Sequence, residues 1–157
     1  MQWILYALAN HPLVQDKIVE EIGATCAATS NHAERWQHLP TLKGAVKEAM
    51  RLYPVATFLT RILPKKCVIG NYEIPAQTLA LLSVYSSGRN EKYFPNAEAF
   101  LPERWSRSSG GVHDPYGSLP FGHGRRACVG RRLAEAQMHI LLYKVIRFFL
   151  YLTRSVI

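Results

Sequence analysis

The stretch FGHGRRACVG, Phe121 to Gly130, sets one cysteine on a glycine-rich bend directly ahead of a long apolar segment. Cationic Arg125 and Arg126 precede Cys128, and an apolar-periodic segment opens near Gly130. A helix starting there is expected to aim free N–H groups at the sulfur. Arginine neighbours and a helix N-terminus both favour thiolate over thiol, the form that serves as metal ligand or nucleophile. Gly122, Gly124 and Gly130 permit positive φ or the close approach of a flat cofactor to the backbone. A lone cysteine is ordinarily a small buried hydrophobe. In these surroundings Cys128 is instead the candidate metal ligand.

Working outward from this loop, Leu133, Ala134, Met138, Leu141, Leu142, Val145, Ile146 and Phe149 recur at helical spacing. They predict a buried helix, apolar on much of its circumference. His139, Lys144 and Arg147 interrupt it, so it falls short of the ~18–20 uninterrupted apolar residues of a membrane span. Upstream, Leu42, Val46, Ala49, Met50 and Tyr53 predict a helix over Thr41–Tyr53 that Pro54 ends. Glu48 and Arg51 lie three apart on it, and a solvated pair at that spacing is worth only about 0.2–0.5 kcal/mol. Further helices are expected over Trp3–Asn10 and His11–Ile22, followed by a polar linker from Gly23 to Leu39 with room for a short helix. Between Val55 and Arg89 the pattern turns β-like: Cys67–Ile69, a turn at Gly70-Asn71, Tyr72–Ile74, and an apolar run Leu79–Tyr85. Asn90 to Pro120 carries Pro95, Pro102, Pro115 and Pro120 with Gly110 and Gly111, and is expected to be a long ordered loop, a kind that is usually functional. The expected fold class is mainly α with a small β-sheet (α+β).

The composition, 157 residues with 48% hydrophobic and 19% charged, fits one globular domain. Three cysteines, Cys26, Cys67 and Cys128, are odd in number and far apart. Neither a disulfide framework nor a zinc spacing is indicated, and a reducing compartment fits better. The net charge of +8 calls for an acidic partner, an anionic membrane surface or nucleic acid. Nucleic acid is set aside, because no reading module and no basic patch interleaved with aromatics is present. The opening MQWILYALA lacks a basic n-region and a cleavage site, so it reads as the end of a longer helix and not as a signal peptide.

The complete pattern F-x-x-G-x-R-x-C-x-G in Phe121–Gly130 resembles the haem-binding loop of the cytochrome P450 family of haem-thiolate monooxygenases. The resemblance implies haem b (iron protoporphyrin) as cofactor, with Cys128 as the catalytic proximal iron ligand. It further implies that Gly122 and Gly130 allow the haem to lie close, that Arg126 pairs with a haem propionate, and that Phe121 packs beside the thiolate and tunes it. Thiolate ligation pushes electron density onto iron and favours O–O cleavage. Arg61, in FLTRILP, matches the position of a second propionate ligand. Glu48 and Arg51, in KEAMRLYP, resemble the family's E-x-x-R helix, and Arg104, in FPNAEAFLPERW, matches the later arginine of the same structural network.

Lys43 and Lys47 repeat at i,i+4, where like charges cost a few tenths of a kcal/mol, so helix stability does not explain them. LKGAVKEAMR together with CVGRRLAEAQM resembles the mitochondrial branch of the family. By that resemblance Lys43, Lys47, Arg131 and Arg132 dock an acidic iron–sulfur ferredoxin that supplies electrons. The implied location is the matrix side of the mitochondrial inner membrane, with the endoplasmic reticulum membrane as the alternative.

The resemblance covers nearly the whole chain but only the C-terminal portion of a single family domain. MQWILYALANHPLVQDKIVEEI resembles the tail of the family's central helix and its successor, so the N-terminal portion and the oxygen-activating motif are expected to lie before Met1. Any peripheral membrane contact would run through that missing part. YLTRSVI lacks a matching final β segment. Three readings follow: a fragment of a monooxygenase that hydroxylates an apolar small molecule, with steroids as one candidate class; a haem-thiolate isomerase or dehydratase needing no redox partner; or a non-catalytic truncated haem-binding product.

Overall fold

The structure, a computed structural model, describes residues 1–28, 35–106, 114 and 116–154, with side chains described through residue 148. Five helices and four strands occur in chain order among these residues: α1 Gln2–Ala9, α2 Pro12–Ala28, α3 Pro40–Leu52, β1 Phe58–Ile62, β2 Cys67–Ile69, β3 Tyr72–Ile74, β4 Leu79–Ser83, α4 Val84–Gly88 and α5 Arg131–Arg154. Short 3-10 turns at Arg35–His38, Pro102–Trp105 and Gly124–Arg126 link them. The class is α+β.

Helix α3 is the centre of the molecule. Pro40 occupies its first turn, where a missing N–H costs nothing. Its N-cap residue, Leu39, supplies no side-chain cap. Glu21 of α2 takes that part, accepting the Thr41 N–H at 3.0 Å and the Leu42 N–H at 3.3 Å. The cap therefore also ties α2 to α3. The periodic residues Leu42, Val46 and Ala49 of α3 are buried against Ile4 and Leu8 of α1, Ile18 and Ile22 of α2, and Leu142 of α5. Burying each such side chain contributes about 1.5–3 kcal/mol, so this four-helix contact holds most of the fold.

Several boundaries differ from the sequence expectation. The polar linker begins only after Ala28, because ATCAA is rich in strong helix formers and extends α2. The apolar run Leu79–Tyr85 splits: the Ser83 hydroxyl accepts the Ser86 N–H at 3.2 Å, capping α4 and ending the strand. The β region is two separate antiparallel pairs and not one sheet. β1 runs against β4 with Phe58 opposite Ser83 and Arg61 opposite Ala80, while β2 and β3 form a hairpin with Cys67 opposite Ile74. Gly70 closes that hairpin at φ +60°. Helix α5 is less buried than its periodicity suggests. Leu142 and Tyr143 are buried, but Leu133 and Leu141 are exposed. Within the expected loop of residues 90–120, a 3-10 turn forms at Pro102–Trp105; Gly110, Gly111 and Pro115 lie outside the described residues. Among the described residues no helix is long and apolar enough to cross a membrane.

Candidate functional site

Glu48 and Arg51 share the inner face of α3, and both are fully buried. Arg51 grips the carboxylate with two nitrogens, Nε to Oε2 at 2.9 Å and Nη2 to Oε1 at 2.6 Å. Its remaining N–H groups donate to the carbonyls of Gly88 (2.5 Å), Ala97 (2.6 Å) and Ala99 (3.0 Å). Arg104 Nε donates to Glu48 Oε1 at 2.8 Å, and the Leu101 N–H donates to the same oxygen at 3.1 Å. The Trp105 indole N–H donates to Glu48 Oε2 at 2.8 Å. A buried charge is tolerated when its hydrogen-bonding capacity is filled, and here it is filled from α3 and from the segment 97–105. The Arg51 guanidinium also lies 4.9 Å from the Phe94 ring centroid. The contact requires Gly44: a Cβ there would collide with the Pro102 carbonyl oxygen, so only glycine lets the Pro102–Trp105 turn lie on α3.

That turn leads toward the cysteine loop. The Cys128 N–H donates to the Phe121 carbonyl at 2.8 Å, closing the loop on itself. Gly122 and Gly124 hold φ of +72° and +70°, a region that disfavours a side chain. Cys128 is a free, exposed cysteine, and Arg125 and Arg126 are exposed on the turn before it. Helix α5 opens at Arg131, whose N–H donates to the Cys128 carbonyl at 3.3 Å. Its N-terminus lies behind the cysteine, but no N–H donates to Sγ among the described residues, in contrast to the sequence expectation. A Cβ on Gly130 would lie 3.9 Å from that sulfur, and one on Gly122 would lie 3.9 Å from Leu59 Cδ1 of β1. Leu59 and Arg61 share one face of β1, two residues apart, so Arg61 stands on the strand face that meets the loop. Arg61 is exposed, and its Nη1 donates to the Thr60 carbonyl at 2.6 Å.

The chemistry of this set fits a haem. A soft thiolate donor can take iron, small residues on a flat loop admit a planar ring, and two arginines on neighbouring elements can receive carboxylates.

Lys43, Lys47, Arg131 and Arg132 come together, lining one cavity between α3 and α5. A second cavity, lined by Lys47, Trp105, Phe121, Gly122 and Arg131, lies beside it and reaches the cysteine loop. Arg131 bridges the two, its guanidinium 5.8 Å from the Phe121 ring and its Nε 2.9 Å from Glu135 Oε1. A basic groove thus reaches the Phe121–His123 end of the cysteine loop. Sequence reading missed Trp105 and His139. Trp105 follows Arg104 directly, and a half-buried tryptophan usually finds an acceptor for its N–H, so its adjacency was the available signal. His139 gave none, since it reads only as a polar interruption of an apolar helix. Burial lowers the pKa of His139, as do the nearby charges of Lys43 and Lys47, with Glu135 opposing.

The family model for cytochrome P450 matches residues 1–155, and the chain belongs to that family. The chain is 38% identical over 150 residues to zebrafish (Danio rerio) cytochrome P450 27C1, covering 95% of this chain and 28% of that protein. It is 43% identical over 147 residues to mouse (Mus musculus) mitochondrial cytochrome P450 11B2, covering 92% and 28%. It is 40% identical over 148 residues to the mouse mitochondrial 1,25-dihydroxyvitamin D(3) 24-hydroxylase, covering 94% and 29%. The chain therefore spans less than a third of the length of these relatives.

Proposed function

We propose that the chain carries the proximal, cysteine-ligating part of a mitochondrial haem-thiolate monooxygenase. The observation that carries this reading is the exposed sulfur of Cys128 on a loop held at positive φ by Gly122 and Gly124, beside the arginines 125 and 126. When bound, haem supplies the O₂ activation and oxygen transfer that hydroxylates an apolar substrate. The chain's own residues do the rest. Cys128 would hold the iron, Arg126 and Arg61 would pair with the propionates, and Phe121 would pack beside the thiolate and tune it. Gly122 and Gly130 keep the space between loop and ring open. Glu48, Arg51 and Arg104 fix the floor on which the loop stands.

Lys43, Lys47, Arg131 and Arg132 are the docking face for an acidic iron–sulfur ferredoxin. The groove from these cations to Phe121 supports this, because it sets the charge that would steer the donor next to the ligand loop. It also favours a monooxygenase over an isomerase or dehydratase, which needs no electron donor. The mitochondrial descriptions of two of these relatives, and the hydroxylase name of one, support a mitochondrial location and hydroxylation of an apolar, steroid-like substrate. The chain is read as the C-terminal portion of one P450 domain, so turnover belongs to the longer protein.

Iron K-edge absorption of the haem-loaded chain tests the ligation. The expected result is a sulfur scatterer bound to iron in the parent and lost in Cys128→Ala. Nitrogen or oxygen ligands alone in the parent would rule the reading out.

A further inference from the structure

We propose that the cavity bounded by α3, the Pro102–Trp105 turn and the start of the cysteine loop binds a small planar aromatic carboxylate of one or two rings.

The cavity measures about 340 Å³, at the small end of the roughly 300–1,000 Å³ common for small-molecule sites. Trp105 and Phe121 line it from two different segments, and Met50 and Leu119 add apolar surface. Both rings are half-buried, so each keeps a surface that a ligand can reach. Both are also held in place. The Trp105 N–H is committed to Glu48 at 2.8 Å, which leaves the ring and not its polar edge for a ligand, and the Phe121 carbonyl accepts the Cys128 N–H at 2.8 Å. Aromatic walls that are already ordered lose little freedom on binding, and they favour a flat partner, as does the polarizable thioether of Met50.

The charge of the lining selects among flat partners. Lys47 and Arg131 are exposed and line the same cavity. Lys47 stands 5.7 Å from the Trp105 ring and Arg131 stands 5.8 Å from the Phe121 ring, so each aromatic wall has a cation beside it. Lys47 has no carboxylate partner among the described residues. Arg131 commits its Nε to Glu135 at 2.9 Å, and Glu135 is the only acid among the lining residues. The Arg131 Nη groups stay free for a carboxylate, whose shape matches the guanidinium fork. A neutral ring would leave these cations unmet, and a small inorganic anion would leave the rings bare. An aromatic carboxylate answers both. Once bound, it would cover two cations assigned above to the electron donor and so hinder docking; this consequence, unlike the site, rests on the docking reading.

The test is titration of the purified ¹⁵N-labelled chain with 2-naphthoate, with 2-naphthalenemethanol as the uncharged control and inorganic phosphate as the ringless one. The chain has three tryptophans, so the Trp105 indole N–H resonance is the one lost in Trp105→Phe. 2-Naphthoate should move that resonance and bind with a Kd of about 1 mM or below, and each control should bind at least roughly tenfold more weakly. Lys47→Gln and Phe121→Leu, with melting temperatures measured for both, should each weaken naphthoate binding about three- to tenfold. Equal binding of the alcohol, or naphthoate binding that leaves the Trp105 resonance unmoved, overturns the site. Should Phe121→Leu not fold, Lys47→Gln decides, since its side chain is exposed: unchanged affinity there overturns the site too. An acidic iron–sulfur ferredoxin is then titrated with and without saturating 2-naphthoate, and its affinity should fall at least about threefold. Unchanged affinity removes the inhibitory role and leaves the site, whereas a ferredoxin that fails to bind even without naphthoate contradicts the docking reading alone.

Discussion

Around Glu48, five hydrogen bonds converge on one fully buried carboxylate, whereas around Cys128 the sulfur, two arginines and the wholly exposed Val129 all face outward. The first region is polar and closed by the chain's own atoms. The second presents its chemistry at the surface, and Leu133 in the first turn of α5 is exposed with it. The same short stretch of structure therefore separates what holds the fold from what would do the chemistry. Substitutions in the two regions should differ accordingly.

The largest effect is expected from Arg51→Ala. It takes two of the five hydrogen bonds from buried Glu48, leaving Arg104 as its one ion-pair partner among the described residues, and strips the carbonyls of Gly88, Ala97 and Ala99 of their donor; removing one partner of a buried ion pair costs about 3–5 kcal/mol. Circular dichroism melting should show collapse of the fold, and haem incorporation should be lost with it. Normal haem content in that variant would break the contrast. Trp105→Phe keeps the ring but removes its N–H bond to Glu48, a hydrogen bond to a charged group worth about 1.5–3 kcal/mol. Its melting temperature should fall while some haem binding survives. Gly44→Ala should cost roughly 1–3 kcal/mol by driving the Pro102 carbonyl away from α3. Its signature would be a loss of tryptophan near-UV ellipticity as Trp105 shifts.

A smaller, pH-dependent effect belongs to His139. Its folded-state pKa is lowered by burial and by Lys43 and Lys47, so the unfolded chain takes up the proton first, around the ordinary value of 6.5. Stability is therefore full above 6.5 and falls as the pH drops below it, until the folded ring is protonated too. Denaturant midpoints measured between pH 7.5 and 5 should show this decline in the parent and a shallower one in His139→Gln. The smallest effect is expected at the exposed Lys66–Glu73 pair of the β2–β3 hairpin, where Lys66→Ala should change stability by less than about 1 kcal/mol despite an N···O distance of 2.6 Å.

Helix α3 was legible in the sequence because its apolar spacing, Pro40 and Pro54 all speak locally. The turn at Gly70-Asn71 was legible for the same reason. The end of β4 was not: an apolar run does not announce that Ser83 will cap a helix. Nor does one sequence reveal that β1 skips over a hairpin to pair with β4, since pairing partners depend on distant residues. At the candidate site, the glycines and arginines around Cys128 could be read because loop chemistry is written in consecutive residues. The burial of His139 could not, because its ring stacks on Trp36 from another element and that contact exists only in three dimensions.

The most direct test of the division between fold and chemistry is the reduced, CO-bound Soret spectrum of the haem-loaded chain, recorded beside Cys128→Ala with melting temperatures for both. A strongly red-shifted band in the parent, absent from a Cys128→Ala variant that melts at the same temperature, is the predicted result, since the cysteine is exposed and adds little to stability. A red-shifted band that survives the substitution, or a folded parent without one, would contradict the assignment of Cys128 as the iron ligand.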